Sequence, residues 1–301
     1  MEIGNWPSSM FVNDTYRKIR ELGLESNIAE LEAFGFTILP GLVDPDRVER
    51  IKKAILAVAE RRWDRKLDVE TTADLERKGR IPGTRVVTNL LFEDEIFEQV
   101  MMTQRPLLLI KYLMGDSVKL NSVSSHIKAG NADGLKLHAD AANGIPSPLP
   151  PYSCFANLTF ALTDYTKAGG ALAMVPGSHR RCRQPSNLER GMTLGDESPE
   201  AVPILAKAGD VIIWHGNTWH GAFARTDPGI RMNLIYAFCR QFIETQELIK
   251  GHVPEAAWNR HKDDTTFAGL MGEFSSHGWR SEQDLEKGSP RQYQAGLDWY
   301  S

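Results

Sequence analysis

Hydrophobic and polar positions alternate differently in the two parts of the chain. The first third reads mainly helical, whereas beyond Val118 apolar residues fall in short runs separated by Gly, Pro, Asn and Asp. Asp14 is placed to cap a helix running to about Ala33, and FGFTILPG (34–41) predicts a short strand ended by Pro40-Gly41. Asp44-Pro45 then offers an N-cap and a proline at the first helical position. Val48, Ile51, Ile55 and Val58 follow at helical spacing, predicting an amphipathic helix to about Arg62. DEIFEQVMMTQ and RPLLLIKYLMG predict two more helices, the second stopped by Gly115. Further on, strands are predicted at 118–128, 135–140, 153–163, 171–175, 210–215, 218–224 and 230–240. Many short strands with turn signals between them point to a barrel or double-sheet jelly roll. After Gln241 the chain becomes polar and helical again, as in PEAAWNRH. The expected fold is mainly β with flanking helices. One domain is expected, with a helical part over about 1–117, a jelly-roll core over 118–242 and a helical tail over 243–301.

Composition narrows this picture only a little. The 301 residues are 42% hydrophobic and 25% charged, with a formal net charge of −4, which gives no global help toward nucleic acid. The three cysteines Cys154, Cys182 and Cys239 are sparse and odd in number, so reduced thiols are expected rather than a disulfide framework. The start, MEIGNWPSSMFVND, lacks the basic-then-apolar pattern of a signal peptide, and no apolar stretch is long enough for a membrane span. A cytoplasmic protein is expected, a monomer or homodimer acting on a small molecule, with neither nucleic acid nor membrane as partner.

Chemistry enters with GLKLHADAANG (134–144), where His138 and Asp140 are two residues apart. A strand sends i and i+2 to one face, so both side chains can meet one ion. The pair alone is weak. Weight comes from GDVIIWHGNTWHGAFARTDPGIRMNL (209–234), which supplies a second histidine, His220, then the turn RTDPG, then Arg231. A hairpin turning near Asp227 would set Arg231 roughly across from Ala222 and diagonal to His220. Two histidines and a carboxylate on one side of a metal form the facial triad of non-haem Fe(II) oxygenases. That arrangement leaves room for a chelating 2-oxo acid and O2, and an arginine suits the far carboxylate of such a co-substrate.

The spacing His138-x-Asp140, then His220 and Arg231, resembles the phytanoyl-CoA dioxygenase family. LTFALTDYTKAGGALAMVPGSH (158–179) is similar to that family's signature, and the resemblance runs from about Phe34 to Arg240. The tail resembles members acting on natural products. The resemblance implies a double-stranded β-helix (jelly-roll, cupin-like) core and an Fe(II)- and 2-oxoglutarate-dependent oxygenase. Such an enzyme hydroxylates or otherwise oxidises an unactivated C–H bond, with release of succinate and CO2. It makes His138, Asp140 and His220 the iron ligands and gives Arg231 the far carboxylate of 2-oxoglutarate. It also sets Thr159 against 2-oxoglutarate, and Asn157 shares that face by alternation. One departure is Ala222, where many members carry a hydroxyl. Asp140 fills the position that a halogenase leaves to a small residue, so halogenation is not expected.

Other candidates are read more plainly. His126 is expected either to face the same cavity, touching co-substrate or substrate, or to be structural, and Arg85 to meet a substrate acid or a structural carboxylate. His215 is read as a turn-packing residue, His179 as fixing a loop, and HRRCR (179–183) as a solvated basic edge rather than a phosphate site. The proline-rich AANGIPSPLPPY (141–152) is expected either to cover the open side of the site, with Ile145 and Leu149 at its mouth, or to be a rigid surface connector. Two alternatives stand beside the oxygenase: a metal-dependent jelly-roll enzyme without 2-oxoglutarate, which leaves Arg231 idle, and a non-catalytic ligand-binding barrel.

Overall fold

The computed structural model describes residues 10–72, 75, 82–115 and 118–273. The part of the expected tail beyond 273 lies outside the described residues. Helices α1 (Met10–Glu21) and α2 (Glu25–Phe34) replace the single helix expected from Asp14 to Ala33. Asp14 falls inside α1 rather than capping it, and Gly23, at φ 63°, separates the two; that left-handed backbone suits glycine. Strand β1 (Phe36–Leu39) follows, then α3 (Pro45–Trp63). Asp44 caps α3 by accepting the Arg47 N–H at 2.9 Å, and Val48, Ile51, Ile55 and Val58 are all buried on its inner face. Next come β2 (Thr84–Val87), α4 (Glu95–Met101) and α5 (Gln104–Met114), the last closed by Gly115.

The β core comprises β3 (Val118–Ala129), β4 (Leu135–His138), β5 (Phe155–Ala161), β6 (Leu172–Met174), β7 (Met192–Thr193), β8 (Asp196–Glu197) and β9 (Val202–Pro203). It continues with β10 (Val211–His215), β11 (His220–Ala222), β12 (Ile230–Arg231) and β13 (Asn233–Arg240), and α6 (Glu255–Arg260) and α7 (Thr265–Leu270) follow. A large antiparallel sheet runs β1-β10-β5-β13-β3, with β12 and β2 also paired to β3, and a smaller one runs β4-β11-β6-β9. The two sheets form a double-stranded β-helix. Strand β1 is the one expected at 34–41, and β2 lies in the part expected to be mainly helical, so the N-terminal third completes the large sheet rather than merely covering it.

Alternation between two packed layers explains why the central strands are buried at every position. In β10, Val211 and Ile213 join the core shared with the helices, while Ile212 and Trp214 pack with Tyr165, Leu172 and Met174 of the second layer. In β5, Ala156, Leu158 and Phe160 face the helices, which turns Asn157 and Thr159 the other way, into the space between the sheets. The expected hairpin between His220 and Arg231 is not formed. Arg231 pairs with Lys128 in the large sheet, whereas His220 pairs with His138 and Met174 in the small one. RTDPG is thus a corner between layers. A turn signal fixes where the chain reverses, not which strand receives it.

Candidate metal centre

The pairing of β4 with β11 brings His138 and His220 opposite one another, with ring centroids 4.3 Å apart. Strand β4 ends at His138, and a 3-10 turn begins at Asp140, folding its carboxylate back over both rings. Asp140 Oδ1 lies 3.4 Å from His138 Nε2, and Oδ2 lies 3.3 Å from His220 Nε2. One ligand atom from each residue falls within 4.8 Å of the other two, a group able to hold a metal ion. The tautomers suit that use. His138 Nδ1 is 3.0 Å from the Lys136 carbonyl and His220 Nδ1 is 2.9 Å from the Thr218 carbonyl. A carbonyl accepts only from a protonated Nδ1, so each Nε2 is left with its lone pair for an ion. Burial raises the Asp140 carboxyl, but when the two imidazoles are protonated in place of an ion, the charge and hydrogen bonds of His220 and His138 outweigh it and hold the group well below the usual carboxylate range. Asn157 Nδ2 donates to Asp140 Oδ2 at 2.6 Å, fixing the carboxylate plane. The donor set of two imidazoles and one carboxylate fits iron.

The same face of β5 continues past Asn157 to Thr159, whose buried hydroxyl has no hydrogen-bond partner among the described residues. Beyond it stands Arg231, 2% exposed. One Arg231 Nη donates to the Gly170 carbonyl at 3.0 Å, the guanidinium carbon lies 4.7 Å from the Tyr165 ring centroid, and the buried Nε has no partner among the described residues. Lys128, paired across from Arg231, is also 2% exposed, and its ammonium donates to the Phe223 carbonyl at 2.5 Å. Burial, reinforced by Arg231 and Arg225, pushes Lys128 down to about 6. Tyr165 Oη and Arg225 Nε are likewise buried without partners. The guanidinium groups of Arg231 and Arg225, with these idle donors beside them, form a corner able to accept an anion, since buried polar groups rarely stay unpaired. Lys128 and Tyr165 escaped the reading of the sequence. A lysine inside a strand ordinarily reaches solvent, and only its register opposite Arg231 marks it.

A cavity of about 1680 Å3 opens over this floor and includes His126, His138, Asp140 and Arg85 in its lining. His126 lies between the two ends: burial and the cations Arg231 and Lys128 push it down to about 4, while Asp140 pulls the other way. Arg85 stacks its guanidinium 4.8 Å from the Trp63 ring centroid. Ile145 and Leu149 do not line the cavity. Leu149 is 2% exposed and packs in a cluster with Phe155, Trp219 and Ile243, against which Ile145 also rests. The mouth-lining role expected for this pair does not hold: the segment is tied back by Leu149 N–H to the Cys182 carbonyl and by Asn217 to the Pro150 carbonyl. Only its first turn, at Ala142 and Asn143, reaches the cavity. In HRRCR, Arg181 pairs with Glu200 and Arg183 with Glu189, which agrees with a solvated basic edge.

The model of the phytanoyl-CoA dioxygenase family matches residues 31–233. The chain belongs to the phytanoyl-CoA dioxygenase family. It is an oxidoreductase of the dioxygenase class. Dioxygenase FrzG of a Cladobotryum species is 25% identical over 88% of this chain and 89% of its own. Ectoine dioxygenase of Nocardia farcinica is 25% identical over 68% of this chain and 74% of its own. HygX of Streptomyces hygroscopicus, solved with nickel and 2-oxoglutarate, covers 74% of this chain and 89% of its own at 16% identity and a TM-score of 0.57. Its complex that also holds hygromycin B gives a TM-score of 0.59 at 17% identity, over 74% of this chain and 90% of its own. At that identity HygX supports the fold, the double-stranded β-helix of this family member. Among the described residues no helix is long and apolar enough to cross a membrane.

Proposed function

We propose that this family member is an Fe(II)- and 2-oxoglutarate-dependent dioxygenase that oxidises a C–H bond of a small or medium organic molecule, most simply by hydroxylation. The observation that carries the reading is the pairing, on one face, of a His-Asp-His group with an anion cradle built around a buried arginine. His138, Asp140 and His220 hold the iron through Nε2, carboxylate and Nε2. Arg231, with Lys128 beside it, takes the far carboxylate of 2-oxoglutarate, and Thr159 donates from the floor between. Two residues of strand span about 7 Å, enough for a five-carbon diacid to reach from the metal toward the arginine. Fe(II) with 2-oxoglutarate and O2 supplies the oxidising power, and succinate and CO2 are released.

The chain's own groups do the positioning. Asn157 keeps one Asp140 oxygen engaged, so the carboxylate turns its other oxygen to the ion. His126, neutral at physiological pH, offers the substrate a hydrogen-bonding group with no added charge. The cavity exceeds the roughly 300–1,000 Å3 of ordinary small-molecule sites, which fits a substrate larger than a simple amino acid. The likeness to HygX, solved with hygromycin B, supports natural-product tailoring. The three cysteines are free, which supports a cytoplasmic setting.

The test is succinate release in the presence of Fe(II), 2-oxoglutarate and O2. Wild-type protein is expected to release succinate slowly alone and faster with its substrate. Release that does not depend on added iron, or that persists in Asp140→Ala, would overturn the reading.

A further inference from the structure

Strand β4 pairs with β11 along one edge only, and its other edge is closed by the segment after Cys182. Leu137 donates its N–H to the Arg190 carbonyl at 3.1 Å on that edge. Two residues on, the backbone of Ala139 presents its N–H and carbonyl on the same side, as strand alternation requires. Among the described residues no strand receives them. Instead the Gln184 side chain meets both: Ala139 N–H donates to Gln184 Oε1 at 3.0 Å, and Gln184 Nε2 donates to the Ala139 carbonyl at 2.6 Å. One primary amide reproduces the two-bond contact of a neighbouring strand.

Ala139 is the residue between His138 and Asp140, and its carbonyl also accepts from Ala142 as the 3-10 turn begins. The clamp therefore grips the point where the chain stops being a strand and swings Asp140 over the two histidines. Ala139 is 1% exposed and its side chain is a methyl, so nothing on the residue itself can fix this bend. Gln184 also lines the cavity, at the seam between the substrate space and the metal ligands.

We infer that Gln184 is a positioning residue for the His138–Asp140 pair, setting the angle between imidazole and carboxylate and thereby the strength and geometry of metal binding. The inference rests on the reading of His138, Asp140 and His220 as ligands. Outer contacts of this type are worth about 10–100-fold in metal affinity.

The experiment uses Co(II) as probe, with calorimetry for affinity and the visible absorption of bound Co(II) for ligand geometry, on wild type, Gln184→Leu, Gln184→Glu and His138→Ala. Gln184→Leu keeps the volume and removes both bonds. It is expected to weaken Co(II) by about 10–100-fold and to alter the spectrum. Gln184→Glu keeps an acceptor for the Ala139 N–H but loses the donor, so it is expected to fall between Gln184→Leu and wild type; it carries the test if Gln184→Leu does not fold. Wild-type affinity and spectrum in the folded variants, even with a lower melting temperature, would overturn the inference and leave Gln184 a packing residue. His138→Ala is expected not to bind Co(II) at the site. Wild-type binding by that variant would sink the ligand reading itself, whatever Gln184 does.

Discussion

Two histidine pairs in this molecule look alike and differ in what they do. His138 and His220 have ring centroids 4.3 Å apart, His179 and His215 5.4 Å apart, and both pairs are tilted by 48°. At the first pair each Nδ1 faces a backbone carbonyl and each Nε2 converges on Asp140. At the second, His215 Nδ1 accepts the Asn217 N–H, and among the described residues the buried His179 Nδ1 has no partner and no carboxylate completes a metal-holding group with the pair. Burial, with His179 beside it, pushes His215 down to about 3. Proximity of imidazoles does not make a site. The carboxylate and the tautomer-fixing carbonyls do, because one supplies charge for a cation and the others leave the outward nitrogens unprotonated.

The largest effect is expected from removing what distinguishes the pairs. Asp140→Ala turns the first pair into something like the second, and is expected to abolish succinate release while far-ultraviolet circular dichroism stays native. Activity in that variant would erase the contrast. Next is Arg231→Leu, at the far end of the same face. Loss of a charge-assisted bidentate contact of about 1.5–3 kcal/mol predicts a 2-oxoglutarate requirement raised about 10–100-fold, with the metal requirement little changed. An unchanged co-substrate titration would make Arg231 a purely structural residue stacked on Tyr165.

Lys128→Met probes the cradle through folding. Because burial lowers Lys128 to about 6, the unfolded chain binds more protons than the folded one between that value and the ordinary lysine value of about 10.4. The lysine's burden on stability is therefore greatest below pH 6 and is relieved as pH rises through that window. Lys128→Met is expected to raise the melting temperature of co-substrate-free protein at pH 7 and to flatten this slope, while weakening 2-oxoglutarate binding. The smallest effect on function is expected at His215→Gln. Metal binding should stay as in wild type, with stability lowered by about 1–3 kcal/mol. A neutral buried His215 contributes stability that is lost as pH falls from about 6.5 toward 3, and the variant should lose less over that range.

The grouping of His138, Asp140 and His220 is legible in the sequence because its residues carry their own signal. His138-x-Asp140 sits where a strand ends, and the GDVIIWH run announces the strand before His220. The anion end was half legible. Spacing singles out Arg231, but the hairpin expected for it does not form, since RTDPG marks a corner without saying which sheet the chain joins. Asn157 was read toward the co-substrate, and its 2.6 Å bond to Asp140 depends on a 3-10 turn that no local pattern announced. Lys128 and Gln184 were invisible for the same reason. Each acts through a partner far along the chain, and residue type alone favours a solvated lysine and a surface glutamine. Ile145 and Leu149 were misplaced because prolines predict a loop but not the cluster into which it folds.

An iron site and a carboxylate cradle on one face of the double-stranded β-helix must answer together to a single ligand. The direct measurement is anaerobic titration of 2-oxoglutarate into Fe(II)-loaded protein, followed by the visible charge-transfer absorbance that arises when a 2-oxo acid chelates ferrous iron. Wild type is expected to develop the band with saturation, Arg231→Leu to need about 10–100-fold more 2-oxoglutarate, and Asp140→Ala to show no band. A wild-type protein that binds Fe(II) but develops no band, or an Arg231→Leu titration that overlays the wild type, would contradict the account.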